Sequence, residues 1–235
     1  MRIAIVAPSP VPYAMGGAER LWWGLTGYLN EHTAHQAELF KVPCREGSYW
    51  EVIGSYRTFF VLSFAGFDLL ISTKYPAWMV QHPRHVVYLQ HKLRGLYETD
   101  PPGLPQDLPD APELAQLRAF LRETPPTRQG CQTLFGLLDA LQQDYADAPW
   151  ACLPGPVLRA VVHFFDAAAL APTQIAHYAA ISRTVAARAG YFPPGVDVQV
   201  VHHPTQLNQP LEVPAPPPAG PVILTASRLD AAKRL

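Results

Sequence analysis

Residues 2–30 read RIAIVAPSPVPYAMGGAERLWWGLTGYLN. The run RIAIVA is short and apolar and stops at Pro-Ser-Pro, which is typical of a buried strand in a parallel sheet. From Ala18 onward, apolar side chains recur at helical spacing, which predicts an amphipathic helix. These side chains are Leu21, Trp22, Leu25, Tyr28 and Leu29. A strand, a loop and a helix in this order predict a βα unit.

The same alternation continues along the chain. Strands are predicted at 37–42, 67–73, 86–90, 178–182 and 198–203, and helices at 49–62 and 183–191. This pattern predicts an α/β fold with a Rossmann-like open parallel sheet that has helices on both faces.

Two proline-rich stretches divide the sequence. The first opens a segment at 99–176 that is predicted to be a mostly helical insertion, which either packs over one face of the sheet or forms a lid over a ligand. The second, 205–221, predicts an extended linker. We therefore expect a first domain at 1–204 and the start of a truncated second domain at 222–235.

Composition excludes several classes of protein. With 18 Lys and Arg against 19 Asp and Glu, the chain has no basic surplus for nucleic acid. The three cysteines lie far apart, which favours reduced thiols in a cytoplasmic protein. The histidine motifs at 82–85 and 202–204 have no acidic or cysteine partners at metal-site spacing, so we expect no metal.

Two candidate sites follow predicted strands. Gly16 and Gly17 precede a helix whose amino end favours an anion such as phosphate, although a simple turn would also use glycine. His91, Lys92 and Arg94 follow the strand at 86–90, and open parallel sheets bind ligands at the carboxyl ends of their strands, although a lone histidine is more often a structural residue.

Two further pairs are candidates by the same reasoning. Lys74 and Tyr75 follow the strand at 67–73 and are candidates for the cleft, with ordinary exposure in a loop as the alternative. Arg228 and Lys233 lie in a strand-to-helix turn, where they either converge on a diphosphate or begin a solvated helix.

The order of these motifs resembles the family 4 glycosyltransferases, which are retaining enzymes with the GT-B fold of two facing Rossmann-like domains. The resemblance rests on PSPVPYAMGGAERLWWGL, GFDLLISTKYPAWMVQHPRHVVYLQHKLRGLYE, YAAISRTVAARAGYFPPGVDVQVVHHP and VILTASRLDAAKRL. It covers residues 1–98 and 177–235. It implies that the chain is the N-terminal, acceptor-binding half of a GT-B fold plus the first strand of the donor domain.

The resemblance also implies roles for the candidate residues. His91 matches the cleft histidine near the transferred sugar. Gly16, Gly17, Arg228 and Lys233 match groups that contact the donor diphosphate. Acceptor-binding positions are expected at Tyr13, Lys74, Tyr75, Lys92 and Arg94.

The implied activity is the transfer of a hexosyl group, with retention, from a nucleoside diphosphate sugar to a hydroxyl acceptor. The nucleotide-sugar is a co-substrate, and neither a cofactor nor a metal is expected. The family's paired donor-domain glutamates have no counterpart, so we expect no turnover without the missing C-terminal domain. The expected location is the cytoplasm, with peripheral contact at the inner face of the membrane left open.

Two alternatives use the same fold. One is a non-catalytic module that binds a glycan or a partner through the same cleft. The other is a fragment of a Rossmann-like oxidoreductase, which the absence of GxGxxG after the first strand disfavours.

Overall fold

A parallel sheet organises the chain in a computed structural model that describes residues 1–9, 16–98, 105 and 107–203. Its six strands are β1 (Arg2–Ser9), β2 (Gln36–Pro43), β3 (Leu69–Ser72), β4 (His85–Leu89), β5 (His177–Ala180) and β6 (Val198–Val200). The strand order is β2-β1-β3-β4-β5-β6, and every neighbouring pair is parallel. The predicted α/β class with a Rossmann-like parallel sheet is confirmed.

Six α-helices accompany the strands. They are α1 (Gly17–His32), α2 (Tyr49–Val61), α3 (Ala115–Glu123), α4 (Arg128–Tyr145), α5 (Pro156–Ala169) and α6 (Arg183–Ala186) among the described residues. Short 3₁₀ turns occur at Ala77–Met79, Arg94–Leu96 and Pro112–Leu114.

The helices lie on both faces of the sheet, and β1 shows the division. Ile3, Ile5 and Ala7 pack with α1, whereas Ala4 and Val6 pack with α2 and α5. Val185 of α6 shares the second face, where it packs with Val87 and Leu89 of β4. Because alternate residues of a strand face opposite sides, the continuous apolar run of β1 serves both layers.

The direction of strand addition reverses next to β1. The chain passes from β1 to β2 on one side, and then crosses back to β3 and continues outward to β6. A reversal of this kind opens a crevice between the carboxyl ends of the two strands that flank it, here β1 and β3.

The segment 99–176 contributes α5 to the second face of the sheet. Val157, Val161 and Phe165 are fully buried in the main core cluster, and α3 and α4 pack outside this helix. α5 thus serves as the crossover helix between β4 and β5, which agrees with the packing interpretation.

No helix in the described part of the chain has the length and apolar character needed to cross a bilayer.

The last helix is shorter than predicted. A helix was expected over 183–191, but α6 ends at Ala186 and Gly190 has a φ of 70°. Tyr191 is fully buried and packs against β4 and β5, and the carbonyl of Gly190 accepts a hydrogen bond from Lys92. These tertiary contacts draw residues 188–191 out of the helical path.

Residues Met1–His203 form one compact unit. The predicted linker at 205–221, the segment 222–235 with Arg228 and Lys233, and Tyr13 lie outside the described residues. The roles expected for these residues stay predictions.

Candidate functional site

The carboxyl edge of the sheet, where all six strands end, gathers most of the candidate residues. Gly16 and Gly17 follow β1, Lys74 follows β3, and His91 follows β4. A hydrogen bond of 3.1 Å joins the Nε2 atom of His203, after β6, to the carbonyl of Gly17. The two glycines and His91 therefore lie at the same edge, as the strand-end rule predicts.

His91 is held as a neutral ring. Its Nδ1 atom lies 2.8 Å from the Lys92 carbonyl, which requires an N–H at Nδ1 because a carbonyl only accepts. Burial, followed by the nearby Lys74, Arg94 and Arg188 cations, lowers the pKa of His91 to about 4. At neutral pH the Nε2 atom thus carries the lone pair, and the hydrogen bond found for the ring within the described residues is the one at Nδ1.

Lys74 and Tyr75 form the side of the site next to His91. The ammonium of Lys74 lies 5.2 Å from the Tyr75 ring centre, and that ring lies 5.8 Å from the ring of His91. Lys74 also lies near Cys44, which follows β2. Burial raises the pKa of the Cys44 thiol to about 11, and the charge of Lys74 acts in the opposite direction. Lys74 thus sits between the ends of β2 and β4, whereas Tyr75 is buried and supports the ring of His91.

Gly16 and Gly17 begin α1 in extended and helical backbone, and neither has a positive φ. The Gly16 amide donates to the carboxylate of Glu19 at 2.9 Å, so part of the positive helix end is already occupied. Among the described residues, no atom lies within 4 Å of a Cβ placed at Gly17. An anion bound here would share the helix end with Glu19.

Three buried polar atoms belong to α1 or to the carboxyl ends of β1 and β4. They belong to Ser9 at the end of β1, Gln90 after β4 and Trp22 of α1. The Oγ of Ser9, the Nε2 of Gln90 and the Nε1 of Trp22 have no hydrogen-bond partner in the part of the chain that is described. Since buried polar groups are nearly always paired, these atoms suit a polar ligand or ordered water.

Lys92 has its side chain in the protein interior and away from the ring of His91. It is 4% exposed, and its ammonium donates to the Gly190 carbonyl at 2.8 Å and lies 3.9 Å from the carboxylate of Asp166. Lys92 thus positions His91 through its carbonyl, and its charge is compensated in the interior.

Arg94 belongs to a second polar cluster. Its Nε atom donates to Glu98 at 3.2 Å, and the same carboxylate accepts from Arg188 at 2.9 Å and from the hydroxyl of Tyr191. This cluster joins the segment after β4 to the segment after α6. Arg94 is close enough to lower the pKa of His91.

Asp166 is a buried acidic residue near the candidate site that the sequence patterns did not indicate. Its carboxylate is fully buried and accepts hydrogen bonds from Tyr56 at 2.9 Å, Trp78 at 2.8 Å and Tyr97 at 2.8 Å. The available signal was its position in PVLRAVVHFFDAAAL, where it is one of three polar residues in an otherwise apolar helix. A buried charge of this kind requires partners from elsewhere in the fold.

Metal ligation has little support in this arrangement. Across 1–9, 16–98, 105 and 107–203, no three His, Cys, Asp or Glu side chains come together in a way that could hold a metal ion. The expectation of a metal-independent reaction stays a prediction.

Fold and edge together define an α/β protein of the Rossmann-like class, with a neutral histidine and a lysine beside the crevice at the carboxyl edge. Comparison with protein families, curated proteins and solved structures gives no match for this chain.

Proposed function

We propose that this chain is the acceptor-binding part of a retaining hexosyltransferase, which uses a nucleoside diphosphate sugar and a hydroxyl acceptor. The donor would be held in part by a C-terminal domain of the GT-B type. The observation that carries the proposal is the neutral His91 at the carboxyl edge of the sheet, whose Nδ1–H is held by the Lys92 carbonyl so that the lone pair is on Nε2.

His91 would act through hydrogen bonding at Nε2. With Nδ1–H fixed on the Lys92 carbonyl, Nε2 accepts a hydrogen bond and orients a sugar hydroxyl at the reacting centre. The lowered pKa keeps this acceptor available at all pH values well above 4. A protonated ring would lose it, so acid should inactivate the site.

The charges at this edge suit an anionic leaving group. Lys74, Arg94 and Arg188 all act on His91, and the first turn of α1 lies at the same edge. As the bond to the sugar breaks, negative charge develops on the nucleoside diphosphate, and fixed cations and helix N–H groups stabilise it. No described acidic side chain is required as a base in this scheme.

A non-catalytic module that binds glycans is the alternative function. It would use the same edge, where the buried Ser9 Oγ and Gln90 Nε2, which have no partner among the residues described, supply polar groups for it. Enzyme and module differ in whether a hexosyl group is transferred.

The first experiment is an amide NMR titration of this chain with UDP-glucose and GDP-mannose. We expect shifts in the signals of Gly17, Lys74 and His91. His91→Ala should weaken these shifts, whereas His32→Ala, an exposed histidine in the last turn of α1, should not. Shifts confined to other parts of the chain, or none at millimolar ligand, would contradict the proposal.

The second experiment measures hexose transfer with the donor domain present. There His91→Ala should lower kcat at least about tenfold, which corresponds to about 1.4 kcal/mol of barrier, and His32→Ala should leave it unchanged. An unchanged kcat would remove His91 from the site. Glycan binding at this edge without transfer from any nucleoside diphosphate sugar would favour the binding module.

A further inference from the structure

A groove lies beside α5, outside the crevice at β1 and β3. It is a cavity of about 740 Å³ between α5 and the segment 189–194. This volume lies within the range of cavities that bind small molecules. Neither His91 nor the glycines of α1 line it.

The helix α5 forms one wall of the groove. Arg159, His163, Ala167 and Leu170 follow one another at helical spacing and all line it. From Arg159 to Leu170 the helix rises about 16 Å at 1.5 Å per residue. α5 follows the carboxyl end of β4 and leads to the start of β5, so Arg159 lies on the side of the carboxyl edge and Leu170 on the side of the amino edge.

The two halves of the groove differ in polarity. The half near the carboxyl edge holds the polar residues Lys92, Tyr97, Arg159, His163 and Asp166. Tyr97 stacks on His163 with ring centres 4.2 Å apart, and the Nε2 of His163 donates to the Leu96 carbonyl at 3.0 Å. That bond leaves the Nδ1 of His163 as an acceptor.

The other half has only apolar side chains among the described residues that line it. These are Leu170, Ala171, Pro172, Phe192, Pro193 and Pro194. Proline also has no backbone N–H, so this half offers few donors to a polar ligand or to an extended peptide. It suits a hydrocarbon chain, which gains free energy for each methylene removed from water.

We propose that this groove binds the acceptor, and that the acceptor is amphipathic, with a hydroxyl-bearing polar head and a linear alkyl or isoprenyl chain. The inference rests on the proposed transferase function. Lys92, Leu96 and Tyr97 line the groove and belong to the segment that follows His91, so the polar head would lie on the side of the groove toward the edge that carries His91. The hydrocarbon chain lies along α5 toward Phe192.

The test is calorimetric binding of methyl, butyl, hexyl and octyl β-glucosides to this chain, below their micelle concentrations and without a donor. Affinity should rise at least about twofold, and up to about fourfold, for each added methylene. Ala167→Phe should abolish this rise, because Ala167 is an exposed residue in the wall of the groove and a phenyl ring at this position would fill the groove. The matched control is Ala140→Phe, at an exposed alanine in the middle of α4, and it should keep the rise.

Equal affinity for methyl and octyl glucosides would overturn the inference, as would a chain-length effect that Ala167→Phe leaves intact or that Ala140→Phe also removes. These readings are independent of the transferase assay. A flat series combined with hexose transfer refutes only the amphipathic acceptor. A chain-length effect without any transfer keeps the groove as a binding site and refutes the transferase.

Discussion

Replacing Asp166 by asparagine tests whether the buried pair with Lys92 stabilises the fold around His91. The Oδ1 atom of Asp166 accepts from Tyr56 and Trp78, and Oδ2 accepts from Tyr97 and lies 3.9 Å from the ammonium of Lys92. Asparagine keeps an oxygen for the first two donors. It places an amide at the other position, and Lys92 then has no opposite charge in the interior.

The expected cost follows from burial. Asp166 is fully buried and Lys92 is 4% exposed, so removing the acid leaves an uncompensated charge with little access to water. Breaking a buried pair in this way costs about 3–5 kcal/mol. Lys92→Met should cost less, about 1–2 kcal/mol, because Asp166 keeps its three neutral donors. In the Lys92→Met background, Asp166→Asn should cost only about 1 kcal/mol, which gives a coupling of about 2 kcal/mol or more.

Urea unfolding at pH 7, followed by circular dichroism, measures the four free energies of unfolding in this cycle. Asp139→Asn is the matched control, since Asp139 pairs with Arg57 at 3.0 Å where both side chains are partly exposed. It should cost no more than about 1 kcal/mol. Additive costs for Asp166→Asn and Lys92→Met, or equal costs for Asp166→Asn and Asp139→Asn, would refute the reasoning.

Two further predictions concern stability. His85 is 1% exposed with Nε2 at 2.8 Å from the Oγ of Ser72, and burial lowers its pKa from 6.5 to about 3. The unfolded state therefore binds one more proton than the folded state, so the free energy of unfolding should fall as pH drops from 6.5 towards 3, by up to about 1.4 kcal/mol per pH unit. In urea titrations at several pH values, His85→Gln should make this pH dependence weaker. Equal pH dependence in both proteins would exclude His85 as its source. A Cβ at Gly155 would lie 2.7 Å from the Cys152 carbonyl oxygen, so Gly155→Ala should cost about 1–3 kcal/mol in the same assay. Gly136→Ala, in open space on α4, should instead stabilise by about 0.5–1 kcal/mol, and a gain at both positions would show that the contact at Gly155 is easily relieved.

The predicted placement of site residues was most accurate where a residue follows a strand directly. Lys74 and His91 were expected at the carboxyl edge because parallel strands all end there, and the structure has both at that edge. Lys92 and Tyr75 follow the same strand ends, but their side chains are buried. A strand pattern gives the end at which a residue lies, whereas the direction of its side chain depends on which groups from other elements are there to meet it.

The Asp166 network shows why the remaining site residues were missed. Its donors come from α2, from the 3₁₀ turn at Ala77–Met79 and from the segment after β4, which lie 110, 88 and 69 residues away in sequence. The polar positions in the apolar helix α5 indicated that partners were needed, but hydrophobic periodicity carries no information on distant pairings. The early end of α6 has the same origin, because Tyr191 packs against β4 and β5.

The sequence by itself determined the α/β class, the parallel strands and the edge that carries His91, since apolar runs, helical spacing and strand ends are local patterns that burial imposes on each element. Only the tertiary structure decided the strand order, the neutral form of the His91 ring, the partners of Lys92 and Asp166, and the groove along α5. These properties arise from contacts between residues far apart in the chain, and their free energies depend on burial and charge that exist only once the elements have packed.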